Sequence, residues 1–271
     1  MSAAHDVIDV RSAAEVSTRR LAGLDNVVDL AGVQARRLLR HPALLLSLLW
    51  VVLGVGLGLP DTPYERYSAV TGMLIFIAGP AMFFASNLVA SSERRSGADD
   101  WTPALPMAPA ARTLGLLLAG AVVAAGSLLV DLLILAVAGR DEVGPPLHWA
   151  HVVSVPVAIL GAAVLGVAVA RLLPWPGAAL VVMVGLVAAN IWTENHQPYL
   201  GLYVDFAVWT SSDAIPAMHP GSPGWHLVYL VALVCLAACG ALLRDVSRRW
   251  VPFVGGAVCA LVAVLAGVLQ L

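Results

Sequence analysis

The sequence predicts an all-α integral membrane protein, a polytopic bundle of about seven transmembrane helices with a cytoplasmic N-terminus and an external C-terminus. Composition is the first reason. Of 271 residues, 60% are hydrophobic and only 12% charged, and mean hydropathy is +0.87. Soluble domains carry roughly twice that share of charge. Clustering is the second: the apolar residues gather into runs of about 20, the length a helix needs to cross a core of roughly 30 Å. The third is the placement of arginine. With the N-terminus inside, Arg11, Arg19, Arg20, Arg36, Arg37, Arg40, Arg94, Arg95, Arg112, Arg171, Arg244, Arg248 and Arg249 fall on cytoplasmic segments, and only Arg66 and Arg140 fall outside. Positive residues favour the cytoplasmic face, so this asymmetry sets the orientation.

Residues 1–20 are small and polar, without the apolar core of a signal peptide, and are expected to form a disordered cytoplasmic tail. Residues 21–41 place Leu21, Leu24, Val28, Ala31 and Leu38 at helical spacing. Asp25, Asp29, Arg36, Arg37 and Arg40 fall mostly elsewhere on the wheel, which predicts an amphipathic helix along the membrane surface. The transmembrane domain then occupies 42–271, with spans at about 43–59, 69–90, 113–138, 152–173, 177–193, 226–243 and 251–271. Pro174 and Pro176 favour a sharp turn between the fourth and fifth spans.

Two connections are more than turns. One is the cytoplasmic stretch 91–112, which sets Glu93, Arg94, Arg95, Asp99, Asp100 and Arg112 between two apolar spans. The other is the external loop 194–225, whose middle, YLGLYVDFAVW, is too short to span and too apolar for open water. Tyr199, Tyr203, Phe206 and Trp209 there have the spacing of a short helix at the outer interface, where aromatic rings are favoured.

All 15 basic residues are arginine. Without lysine the chain has no Walker A motif and no Schiff-base site for retinal. Cys235, Cys239 and Cys259 lie in predicted spans without metal or redox spacing, as small packing residues. His148, His151, His196, His219 and His226 fall on the external side but form no metal motif, so they are expected as loop or interfacial histidines, with no metal site. Catalytic groupings are missing from the spans. The polar intramembrane residues are Asp131, weighed between a functional role and reaching for the headgroups, and Asn87 and Asn190, weighed between interhelical hydrogen bonding and a substrate path.

The run Glu93-Arg94-Arg95-Ser96-Gly97, the acid Asp100, Leu105-Pro106 and Ala110-Ala111-Arg112 before LGLLLAG resembles the second-to-third-span link of type-2 ABC exporter permeases, an E-R-x-x-G-T-x-E-x-L…P-x-S-R-x-like pattern. The amphipathic segment ending in Arg-Arg-Leu-Leu-Arg-His-Pro is similar to that family's connecting helix, and 194–225 stands where the family has short re-entrant helices. The chain departs from the pattern at Ala98, Asp100, Trp101-Thr102-Pro103 and in having a seventh span beyond the usual six.

The resemblance implies a transport subunit rather than an enzyme, moving an amphiphilic or hydrophobic drug, lipid or natural product outward. No cofactor is expected on this chain; ATP and Mg would sit on a separate cytoplasmic ATP-binding-cassette subunit. Glu93, Arg94, Arg95, Asp100, Trp101, Leu105 and Arg112 would contact that subunit, with Arg36, Arg37 and Arg40 on the connecting helix. A second permease copy would complete a homodimer or related heterodimer in a bacterial cell membrane, with no nucleic-acid partner. Its substrate path would draw on Asn87, Asp131, Asn190, Tyr199, Tyr203, Phe206 and Trp209. The alternatives are an ATP-independent carrier, and a membrane scaffold or maturation factor linked to metal handling through the external histidines.

Overall fold

The computed structural model describes residues 25–57, 63–97, 108–138, 149–196, 198–204 and 222–271. The expected tail 1–20 and Asp100, Trp101, Leu105, Phe206, Trp209, His148 and His219 lie outside the described residues. Every regular element among the described residues is helical. Five helices are long and apolar enough to cross a membrane: Ala69–Ala90, Pro109–Ala136, Trp149–Leu172, Pro223–Leu242 and Trp250–Leu269.

Helix α1, Asp25–Leu39, meets α2, Pro42–Leu57, at a bend of 54°, and counted as one span the pair brings the number to six. Pro42 suits a first helical position because its missing N–H would have no partner there. The Ala43 N–H donates to His41 Nδ1 at 3.3 Å, so the imidazole caps α2. The buried stripe of α1 is Val27, Ala31, Ala35 and Leu38, whereas Val28 is 63% exposed. The stripe keeps the expected Ala31 and Leu38 but takes Val27 in place of Val28, its neighbour about 100° around the wheel. Arg36, Arg37 and Arg40 stay exposed. Among the described side chains of α2, Leu44, Ser47 and Val51 are the buried ones, and leucines such as Leu45, Leu46, Leu49 and Leu53 face outward, as lipid contact requires.

Helix α3, Pro63–Met73, continues through a π-helical turn, Leu74–Ala78, into α4, Gly79–Ala90. Pro80 has no N–H to donate and its ring crowds the preceding turn; a widened turn just before it relieves that clash. The short α5, Ser92–Arg95, closes on Gly97, whose φ of 69° needs a glycine. Helix α6 is Pro109–Ala138 and α7 is Trp149–Leu172. Helices α8, Ala178–His196, and α9, Pro198–Val204, precede α10, Pro223–Leu242, and α11, Trp250–Leu269. The apolar part of α8, Ala178–Thr193, is short for a span.

The centre of the bundle is α7, which packs against α4, α6 and α10, while α11 lies on α10. The helices approach closely at Gly166 of α7, where a built Cβ would sit 2.3 Å from the Phe83 carbonyl oxygen of α4. Small residues allow such backbone contact where no hydrophobic drive separates helix from lipid. Asn87 Nδ2 donates to the Gly166 carbonyl across the same seam at 3.1 Å, the interhelical bonding expected of that residue. The cysteines are free thiols, Cys235 and Cys239 on α10 and Cys259 on α11.

Candidate functional site

The stretch after α4 is charged because it must leave the apolar layer, and helical geometry decides where those charges go. Glu93, in the short α5, reaches the first turn of α6 and pairs with Arg112, Nη1 to Oε2 at 3.1 Å. Arg94 turns the other way, and its Nη1 donates to the Ala170 carbonyl of α7 at 3.3 Å. Arg95 is exposed. The last carbonyls of a helix have no partner within it, and cations there also suit the negative end of the helix dipole. A second arginine completes the pattern: Arg244, just after α10, donates from Nη1 to the Arg171 carbonyl at 3.1 Å.

Asp245 ties the rest together. Its Oδ2 accepts from the Thr113 hydroxyl on α6 and lies 3.5 Å from Nε of Arg171 on α7. Thr113 is fully buried, and the side chains of Arg171 and Asp245 are only 16% and 13% exposed. Partial burial makes such pairing worth more than on an open surface. One end of the bundle therefore carries a polar network joining α5 to α6, α7 and the end of α10. Of the expected coupling residues, Glu93, Arg94 and Arg112 take part. Thr113, Arg171, Arg244 and Asp245 were not singled out by the sequence. In the sequence Arg171 and Arg244 count only as orientation charges, and nothing local marks Asp245 as their partner.

The residues expected along a substrate path do not converge. Asn87 bonds to α7 as above, and Asn190 is half-buried on α8. Tyr199 falls in α9. Tyr203, also on α9, donates its hydroxyl to the Gly267 carbonyl of α11 at 3.1 Å. Its own carbonyl accepts from the Tyr229 hydroxyl of α10 at 2.8 Å, and the two rings meet edge to face at 6.0 Å. Alongside, His226 is fully buried and donates from Nδ1 to Oε1 of the buried Gln270 at 2.8 Å. His226 and the buried His151 are interior residues, not interfacial ones. Among the described residues no group of histidine, cysteine or acidic side chains is placed to hold a metal ion.

Asp131 is also turned inward. It is fully buried, and Tyr67 of α3, 2% exposed, donates its hydroxyl to Oδ2 at 3.4 Å. A carboxylate reaching for headgroups would be exposed, so the packing decides between the two expectations in favour of an internal group.

Comparison with protein-family models, with curated proteins and with solved structures finds no match to this chain. Among the described residues the fold is all-helical, and its several helices of crossing length and apolar composition are those of a helical membrane protein.

Proposed function

We propose that the chain is the permease subunit of an ATP-driven exporter, working as a dimer with two cytoplasmic ATPase subunits. On this reading α2 and α8 are also spans, giving seven, with the N-terminus inside and the C-terminus outside. The arginine asymmetry supports that orientation. The observation that carries the reading is the linkage of the charged elbow to the bundle: Glu93 engages α6 and Arg94 engages α7, and Asp245 extends the linkage to α10. A force applied at α5 would reach three crossing helices through hydrogen bonds rather than through a slack loop. The absence of lysine supports a separate source of ATP hydrolysis, since a Walker A motif needs that residue. Few charges in the spans suit an amphiphilic or hydrophobic substrate.

The test is Arg94→Glu combined with Arg95→Glu, in a preparation co-purified with the product of an adjoining ATPase gene. Normal membrane insertion with loss of substrate-stimulated ATP hydrolysis is the expected result. Unchanged stimulation, or transport by the chain purified stably without any ATPase, overturns the reading. A carrier working without ATP is the second reading, and the inward-facing Asp131 is the observation that favours it.

A further inference from the structure

Asp131 is a carboxyl group with half of its needs met. It lies within a crossing helix, fully buried, and its Oδ2 accepts a single hydrogen bond from Tyr67. Oδ1 is buried as well and has no hydrogen-bond partner among the described residues. No described cation pairs with either oxygen. An ionised carboxylate in such a place has lost its hydration and gained one neutral donor, a large net cost in a low-dielectric layer. Adding a proton to Oδ1 removes the charge and leaves Tyr67 bonded to Oδ2.

From this geometry we infer that Asp131 and Tyr67 form a proton-binding site within the membrane layer. The step is an acid–base exchange: hydronium gives its proton to Oδ1, forming the carboxylic acid and releasing water, and the reverse step returns it. A metal cation fits less well, because a hard cation takes about six or more oxygen ligands and the pair supplies a carboxylate and a phenol. The surroundings are consistent with a neutral acid. Of the helices packed on α6, α4 carries no titratable side chain in its span. Helix α3 carries Tyr64, Glu65 and Arg66 beside Tyr67, and of these four the described side chain is Tyr67; α10 contributes His226 and Tyr229 at that end, His226 being held by Gln270. Counting equally along antiparallel α6 and α7 from the Gly120–Ala163 contact brings Asp131 level with the first turn of α7, where His151 lies. Tyr67 holds Oδ2, which leaves Oδ1 as the oxygen that takes the proton. The inference does not depend on the exporter reading, and either stands if the other fails.

Infrared difference spectroscopy of the full chain in lipid vesicles, across a pH series, tests the site without a transport assay. The expected signature is a protonated-carboxyl C=O band that loses intensity as pH rises and shifts in D2O. Asp131→Asn, nearly isosteric, removes the band. Tyr67→Phe keeps it but moves its frequency, because the hydrogen bond to the carboxyl is gone. Should Asp131→Asn fail to fold, the Tyr67→Phe frequency shift decides alone. A wild-type protein without the band, a band that ignores pH and D2O, a band that survives Asp131→Asn, or one that Tyr67→Phe leaves in place overturns the inference.

Discussion

Substituting Gly166 by alanine presses hardest on the seam between α4 and α7. The new Cβ would lie 2.3 Å from the Phe83 carbonyl oxygen, 3.1 Å from Ser86 Cβ and 3.2 Å from the Asn87 nitrogen. The first of these atoms is backbone and cannot swing away. Restoring an ordinary carbon–oxygen contact of about 3.3 Å requires the helices to part by about 1 Å. That motion stretches the Asn87 Nδ2 to Gly166 carbonyl bond from 3.1 Å to about 4 Å, beyond hydrogen-bonding range. Overpacking of this kind costs about 1–3 kcal/mol, and an interhelical hydrogen bond within a membrane about 0.6 kcal/mol. Alanine recovers roughly 0.5–1 kcal/mol over glycine inside a helix. The net is a loss of about 1–3 kcal/mol, or roughly 3–10 °C of melting temperature for a chain of this size. Thermal unfolding in detergent, followed by circular dichroism, reads the shift. Gly185→Ala is the control, since nothing lies within 4 Å of its added Cβ, and its melting temperature should hold or rise. If Gly166→Ala melts with the control, the helices do not approach each other as closely as described, and the reasoning fails.

Two further outcomes concern the polar end of the bundle. Asp245→Ala removes the partner of both Thr113 and Arg171 and is expected to destabilise by about 1–3 kcal/mol. Asp245→Asn, which still accepts from Thr113, should recover part of that in the same melting assay; equal losses for both variants would place the contribution in packing instead. A double-mutant cycle on Glu93→Ala and Arg112→Ala should give a coupling of about 0.2–1 kcal/mol, small because Glu93 is 38% exposed, and weaker in high salt. Strict additivity of the two single variants would mean that this pair links nothing.

The crossing helices were legible in the sequence wherever length and hydropathy suffice, because both are local properties of a stretch of chain. Four of the helices long enough to cross match predicted spans within a few residues, and the second predicted span, 69–90, coincides with Ala69–Ala90. Ends were less legible where the helix outruns its apolar part. Tyr67 lies two residues before that span begins, so hydropathy alone does not bring it into the bundle as the partner of a carboxyl on α6. On α1 the spacing marked a helix with one apolar face, yet Val27 and Val28 differ by one residue and by opposite environments. Periodicity places a face only to within about one residue, and packing chooses.

What the sequence by itself determined is the solvent each segment prefers. Apolar runs and sparse charge dictate helices in a membrane layer, because a backbone there must satisfy its hydrogen bonds within the segment. The lack of lysine excludes a bound-nucleotide motif of Walker type. Only the tertiary structure decided which polar groups meet. Glu93 and Arg112, Thr113 and Asp245, Tyr67 and Asp131, and His226 and Gln270 are separated along the chain by 19, 132, 64 and 44 positions. Each pairing follows from which helices lie side by side and how far each has turned about its axis. Those are relations between segments that no single segment encodes.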